Sequence, residues 1–283
     1  MTFSPARFTR MKPRRESIFS AARCGLVITV ALVAAIHTDT SPTSAQGQSV
    51  AVRVDMPRPL APLLTKAQVL YRRVVTFEEA PIEHAQDLVD ISAPDLASGA
   101  KPTRTPRFVP RGGPLSVFLP DPAKGDVDVE RAVRELVAEF NASGYPGQYR
   151  VIASDDTLHV VPIASKGVSG TRIARRSLFD REVVVTTGRY AGSVLLQIVL
   201  DQLNEQQEFP IGIATVSTSA LDSTVLHVQG GRYVARDLLL RINAESLSPI
   251  SWTMLFEPMA RRYYMNIQGI ELDPYSIYTG DVR

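Results

Sequence analysis

Cysteine is almost absent from this sequence, because the only one among its 283 residues is Cys24. Cys24 lies in the N-terminal segment, so the remainder of the chain can form no disulfide of its own, no zinc–thiolate site and no thiol nucleophile. Long hydrophobic runs are also missing. The apolar stretch from 24 to 36 has 13 residues, whereas a membrane-spanning helix needs about twenty.

An excess of either charge is absent too. The chain has 31 basic and 29 acidic residues. Without residues 1–45 the balance is 25 basic to 27 acidic, so the slight basicity belongs to the N-terminus. The remaining chain lacks the basic surplus that is typical of nucleic-acid-binding proteins, and we expect no nucleic-acid partner.

The N-terminal 45 residues have the pattern of an export signal. A segment rich in arginine precedes the apolar run, and Thr43 and Ala45 place small residues at a cleavage point. We therefore expect cleavage near Ala45 and a periplasmic or secreted protein. An uncleaved membrane anchor is the alternative. Arg14 and Arg15 suggest the twin-arginine route, but the residues after them fit that pattern only loosely, so the general secretory route is favoured.

One phrase occurs twice in the C-terminal half. "GRYAGSVLLQIV" begins at Gly188, and "GRYVARDLLLRI" begins 43 residues later at Gly231. Each phrase follows a run rich in Val, Thr or Leu, which predicts a strand, and continues with leucines at helical spacing. We expect the two glycines to permit a sharp turn from strand to helix. The repetition predicts a duplicated structural unit.

The same order of strand, helix and strand recurs upstream, giving four units and an α+β fold of tandem small βαβ(β) modules. Short helices with one apolar face need a sheet to cover that face, so each helix is expected to pack on a small mixed sheet. Only about six residues join the third and fourth units, which are therefore expected to share one core. The predicted segments are a signal peptide (1–45), a first βαβ module (46–92), a Pro/Gly-rich linker (93–113), a second βαββ module (114–163), a linker (164–180), paired third and fourth βαβ modules (181–270) and a C-terminal tail (271–283).

Catalytic and metal-binding patterns are not found. The sequence has no GxSxG, HExxH or GxxxxGK[ST] motif. His159 and His227 lie in predicted strands, where we expect them to face solvent, and His84 lies in a predicted loop or helix start. Adjacent carboxylates such as Glu78 and Glu79 point to opposite faces of a strand and cannot act as an acid–base pair. We therefore predict no catalytic residue, no cofactor and no metal site.

Two features are candidates for a binding surface. The first is a series of arginines spaced by prolines, which is suited to an anionic polymer, although a solvated linker explains it too. The second is a group of aromatic residues near the C-terminus, which is suited to a sugar or a partner protein, although closure of the core explains it too. The candidate residues are Arg104, Arg107, Arg111, Trp252, Tyr263 and Tyr264.

The stretches "VVVTTGRYAGSVLLQIVLDQLNEQ" and "LHVQGGRYVARDLLLRINAESLSPISWTMLFEP" resemble the short N-terminal modules of secretins and TonB-dependent receptors. The chain also resembles a group of uncharacterised exported bacterial proteins through "PRGG" at Pro110–Gly113 and "NASGYPGQ" at Asn141–Gln148. The resemblance implies small αβ modules that dock onto other proteins and perform no catalysis. No secretin pore or receptor barrel is recognisable in this sequence.

These observations favour an exported, non-enzymatic protein that acts by protein–protein contacts, as an assembly or docking factor of the bacterial envelope. Small open sheets support this interpretation, because a partner strand can pair with an unpaired edge. The partner is expected to be an envelope protein or another copy of the chain. The alternatives are a glycan- or ligand-binding module that uses the arginine and aromatic residues, and a hydrolase of unrecognised type.

Overall fold

The computed structural model describes residues 49–92, 106–154 and 156–270, and the predicted signal peptide and C-terminal tail lie outside these ranges. The five helices of the described residues are α1 Leu60–Tyr71, α2 Val129–Ala142, α3 Gly192–Glu205, α4 Thr218–Asp222 and α5 Ala235–Glu245. Their fifteen strands are β1 Ser49–Met56, β2 Val74–Glu78, β3 Leu88–Asp90, β4 Phe108–Pro110, β5 Gly113–Pro120, β6 Gln148–Ser154, β7 Thr157–Lys166, β8 Arg172–Ala174, β9 Glu182–Val185, β10 Gly188–Ala191, β11 Ile211–Val216, β12 Val225–Val228, β13 Gly231–Val234, β14 Ile250–Glu257 and β15 Arg262–Gly269. The α+β fold class is confirmed.

The two "GRY" phrases occupy equivalent places in one antiparallel ribbon. Strand β9 pairs with β13 and β10 pairs with β12 in a single continuous register. The hydroxyl of Tyr190 donates to the carbonyl of Thr186 at 3.0 Å, and that of Tyr233 donates to the carbonyl of Gln229 at 2.7 Å. A helix follows each phrase directly. The third and fourth units share one core.

The role expected for the two glycines was wrong. Gly188 and Gly231 begin strands β10 and β13, and helices α3 and α5 begin four residues later, at Gly192 and Ala235. A Cβ on Gly188 would lie 3.0 Å from the ring of Tyr190. The glycine therefore leaves room for Tyr190, which lies two residues further along the same face of the strand. The ring of Tyr190 covers the backbone of the glycine.

The first and second units also form one structure, although the sequence indicated separate modules. Strand β1 pairs with β5 along its whole length. Helices α1 and α2 contact each other. Helix α1 packs against β1 and β2, and helix α2 packs against β5 and β6. One hydrophobic cluster contains residues from all of these elements. The reason is that a single βαβ unit has too few strands to cover its helix.

The same arrangement is thus built twice. In the first half (β1 to β7, residues 49–166), two helices lie between the β1–β5 ribbon and the strands β2, β7 and β6. In the second half (β9 to β15, residues 182–269), α3 and α5 lie between the β9–β13 and β10–β12 ribbon and the strands β11, β15 and β14. In each half the exit strand of the first unit runs parallel to the last strand of the second unit.

The two halves share one sheet. Its strand order is β11-β15-β14-β2-β7-β6, with β8 also paired to β7. Trp252, Met254 and Phe256 of β14 belong to the core of the second half, as their alternation predicts, whereas Leu255 packs against the core of the first half. Alternate residues of a strand point to opposite faces, so the two cores lie on opposite faces of the sheet.

The stretches predicted as linkers contain regular structure. Residues 106–113 of the first one include β4, which pairs with β3. The second one, residues 164–180, includes the end of β7, strand β8 and a short 3-10 turn at Leu178–Asp180. Their high content of small and polar residues reflects short strands at the surface, where side chains remain solvated.

Candidate functional site

Two of the three residues proposed for an aromatic surface, Trp252 and Tyr263, are buried and therefore form no such surface. Trp252 is 4 % exposed and Tyr263 is 2 % exposed. The ring of Trp252 packs against Phe179, and the ring of Tyr263 lies 5.2 Å from that of Phe256. Both side chains point into the core of the second half, because they occupy inward positions of β14 and β15. Tyr264 is half-buried on the opposite face.

The arginine series is only partly within the described residues, since Arg104 lies outside them. The side chains of Arg107 and Arg111 are exposed. Their backbone is held, because the Arg107 amide donates to Asp90 and the Arg111 amide donates to the carbonyl of Asp87 at 2.7 Å. This part of the segment is therefore fixed against β3 and is not a free extended strand.

The phrases "PRGG" and "NASGYPGQ" meet in the structure. The hydroxyl of Tyr145 donates to the carbonyl of Pro114, directly after the "PRGG" residues. A Cβ on Gly112 would lie 2.5 Å from the carbonyl oxygen of Met56 and 2.6 Å from Pro59. Both phrases thus serve close packing around the start of β5.

One histidine prediction was wrong. His159 is fully buried, with its Nδ1 atom 2.7 Å from the hydroxyl of Thr76 and its ring 5.6 Å from that of Trp252. Burial lowers the pKa of His159 to about 3, so the ring is neutral. The inward position arises because β7 is covered on both faces. His227 is exposed, as expected, and His84 precedes a 3-10 turn.

The pair Glu78 and Glu79 proves to be buried where the two halves meet. Glu78 accepts hydrogen bonds from the hydroxyl of Ser177 and, at 2.7 Å, from the Leu178 amide. Glu79 accepts from the Phe256 amide at 2.8 Å and lies 3.3 Å from the guanidinium of Arg58. Burial raises the pKa of each carboxyl to about 7.

Arg236 completes this polar group, which we call the junction and which consists of Glu78, Glu79, Arg58, Ser177, Asp180 and Arg236. Arg236 donates to the hydroxyl of Ser177 at 2.8 Å and to Asp180 at 2.6 Å. Every charged group of the junction has a partner within the protein, which favours a structural role over catalysis. The signal in the sequence was the position of two acidic residues directly after the apolar run "VVTF", within a strand that is buried throughout.

The two halves join edge to edge at β14 and β2, which run parallel. Thr253 is in register with Phe77, and Met254 is in register with Glu78. The Glu79 amide donates to the carbonyl of Met254 at 2.8 Å. Ser251 adds a side-chain hydrogen bond to the carbonyl of Val75 at 2.7 Å.

In the part of the chain that the structure describes, this joint leaves β11 and β6 as the two outer strands of the shared sheet. By their places in the two halves, β11 corresponds to β2, and β6 corresponds to β14. Helix α2 protects part of β6, since Asn141 bonds to both backbone groups of Tyr149 and Arg134 donates to the carbonyl of Val151. On β11, helix α3 protects only the first residue, through Asn204 and Ile211.

Among the described residues, no strand pairs with the outer edge of β11 from Gly212 to Val216, which we call the open edge. Its sequence, IGIATV, contains no charged residue, and Ile213 is 40 % exposed. Uncharged outer strands attract other strands unless something covers them. The open edge of β11, together with residues Ile152 and Ala153 of β6, is therefore the candidate docking site.

Comparison of the chain with protein-family models, with curated proteins and with solved structures found no match. Within the described residues, no helix has the length and apolar character needed to cross a membrane. In the same residues no group of three or more His, Cys, Asp or Glu side chains is placed to hold a metal ion.

Proposed function

We propose that this protein is a non-enzymatic assembly factor that binds further copies of itself, head to tail, through the open edge of β11 and the outer strand β6. The observation that carries this proposal is the joint within the chain. There, β14, which corresponds to β6, pairs with β2, which corresponds to β11. Strands β6 and β11 lie at the two ends of the described sheet, where the equivalent pairing is not made within the chain.

The equivalent register identifies the contacting residues. Tyr149 corresponds to Ile250 and Val75 to Ile211, because each is held by an amide side chain of the preceding helix. In this register, the internal pair of Thr253 and Phe77 corresponds to Ile152 opposite Ile213. The pair of Met254 and Glu78 corresponds to Ala153 opposite Ala214. All four side chains are apolar, and all are at least partly exposed.

The two surfaces differ from each other, so the contact is heterologous. Heterologous contacts repeat from one molecule to the next and form a ring where the rotation closes or a filament where it does not. The resemblance to docking modules of secretins and TonB-dependent receptors supports assembly, and residues 1–45 support export to the envelope. Fractionation of cells for the mature chain tests that location.

Self-association is tested by analytical ultracentrifugation of wild type, Ile213→Lys and Ile152→Lys. A lysine on an outer strand opposes pairing with a second strand. We expect wild type to sediment faster as its concentration rises, and each variant alone to remain monomeric. Val184→Lys, an exposed position of β9, is the control and should behave as wild type.

Mixing the two variants distinguishes a heterologous contact from a symmetric one. Ile213→Lys retains a free β6, and Ile152→Lys retains a free β11, so an equimolar mixture should form dimers and nothing larger. A monomeric wild type would contradict the proposal. Dimers of Ile152→Lys alone would also contradict it, because they would indicate pairing of β11 with itself.

A further inference from the structure

A cleft of about 680 Å³ opens beside the segment that connects the two halves. Its volume is within the range of small-molecule binding sites. Its walls are formed by strands β6, β7 and β15, by residues 174–181 and by the residues that follow α3. Four arginines line it, namely Arg150, Arg175, Arg176 and Arg181.

The positive charge of this arginine cleft is not neutralised within it. Among the described residues that line it, only Asp180 and Glu208 are acidic. Each of them already has an arginine outside the lining set, since Arg236 binds Asp180 at 2.6 Å and Arg261 binds Glu208 at 2.9 Å. Like charges gathered in a cleft create a positive potential that favours an anionic ligand.

The four arginines fall into two kinds. Arg175 is held in place, with 17 % of its side chain exposed, by the hydroxyl of Ser165 at 2.9 Å and by Glu83 at 3.1 Å. Arg181 donates to the carbonyl of Gln206. Arg150 and Arg176 have no ion-pair partner in the described part of the chain. Two fixed guanidinium groups and two free ones can bind several oxygens of one ligand, because each guanidinium offers a planar pair of donors.

Tyr263 adds a neutral donor at the base of the cleft. Its side chain is almost completely buried, yet it lines the cleft, and its hydroxyl has no hydrogen-bond partner among the described residues. Burial raises the pKa of Tyr263 well above its ordinary value, so the hydroxyl stays protonated. Pro81, Pro162 and Phe209 line the same cleft and add apolar surface, beside which a polar contact is stronger than in water.

We propose that the arginine cleft binds a compact multivalent oxyanion, a ligand that carries several phosphate or carboxylate groups. The fixed Arg175 and Arg181 orient the ligand, Arg150 and Arg176 close over it, and Tyr263 donates to its innermost oxygen. The proposal does not depend on self-association, because the lining residues exclude Ile152, Ile213 and their alanine neighbours.

Calorimetric titration with pyrophosphate and with citrate tests the proposal and separates the phosphate source from the carboxylate source. Wild type and the Ile213→Lys protein should bind at least one probe equally well, at low ionic strength and more weakly at about 0.15 M salt. Arg150→Gln/Arg176→Gln should weaken binding at least about tenfold, because two charge-assisted contacts are lost. Arg189→Gln/Arg232→Gln removes the same charge from the β9–β13 and β10–β12 ribbon and should leave binding within about twofold.

Tyr263→Phe removes the hydroxyl and keeps the ring in the core, so it should weaken binding several-fold without lowering the melting temperature. Failure of wild type to bind either probe would overturn the proposal. Equal weakening by the two double variants would also overturn it, since it would indicate attraction to net charge and no site.

Discussion

Three buried side chains are expected to make the stability of the protein depend on pH. Glu78 and Glu79 each have a pKa raised by burial from 4.5 to about 7, and His159 has one lowered from 6.5 to about 3. The folded carboxyls hold a proton more tightly than the unfolded ones. Their contribution to stability is therefore complete below about pH 4.5 and is lost as the pH rises through about 7. His159 opposes this trend, because its contribution is lost as the pH falls from 6.5 towards 3.

We predict that Glu78→Gln removes part of this dependence. Glutamine keeps the shape and an oxygen for the Leu178 amide but carries no charge. Relative to wild type, the variant should gain free energy of unfolding as the pH rises from 5 to 7, by at most about 1.4 kcal/mol per pH unit. Urea denaturation at several pH values measures this. The exposed Glu205→Gln is the control, and parallel curves for wild type and Glu78→Gln would contradict the prediction.

The four strand–helix units share a device that links each helix to the strand after it. An amide side chain near the end of the helix accepts a hydrogen bond from the backbone amide of the first or second residue of the strand: Gln68 accepts from Val75, Asn141 from Tyr149, Asn204 from Ile211 and Asn243 from Ile250, at 2.6 to 3.0 Å. This contact sets the direction in which the chain leaves the helix. In the outer strands β6 and β11 it also occupies backbone groups of Tyr149 and Ile211, which are then not available to another strand.

We predict that Asn204→Ala and Asn243→Ala lower the free energy of unfolding by similar amounts, about 1 to 3 kcal/mol each, because each leaves a largely buried backbone amide without its acceptor. Asn266→Ala is the matched control on β15 and should change stability by only about 0.5 kcal/mol. Chemical denaturation monitored by circular dichroism provides the values. A loss at Asn266 as large as at Asn243 would show that the linking contact has no special weight.

The shared sheet makes one protein from two similar halves, although the backbone register that joins them covers only two residue pairs. Side chains supply most of the connection. Arg58 of the first half donates to the carbonyl of Phe256 and pairs with Glu79, while Trp252 of the second half packs against His159 of the first. Removing one partner of a buried ion pair is far more costly than removing an exposed charge.

We predict that Arg58→Ala weakens the joint by about 3 kcal/mol and separates the unfolding of the two halves. Trp252 is the only tryptophan, so its fluorescence reports the second half, whereas circular dichroism reports the whole chain. The two transitions should coincide in wild type and differ in Arg58→Ala. Arg53→Ala changes an exposed arginine nearby and should leave them coincident. Coincident transitions in Arg58→Ala would contradict the prediction.

Local structure was largely predictable from the sequence, whereas the candidate sites were not. The alternation of Ile250, Trp252, Met254 and Phe256 predicted the inner face of β14 correctly. The same four residues carry no information on which strand lies beside them. Glu78 and His159 are buried where β14 pairs with β2. His159 had been expected to face solvent, and Glu78 had been considered only as a member of an acid–base pair.

The sequence by itself determined the α+β class, the repeated strand–helix units and the inward faces of their strands, because periodicity acts within one short segment. Only the tertiary structure decided that the units pair into halves, that the halves share a sheet, which edges stay open and which arginines line one cleft. The physical reason is that backbone hydrogen-bonding groups are alike in every strand. The choice of partner therefore depends on packing between residues far apart in the chain.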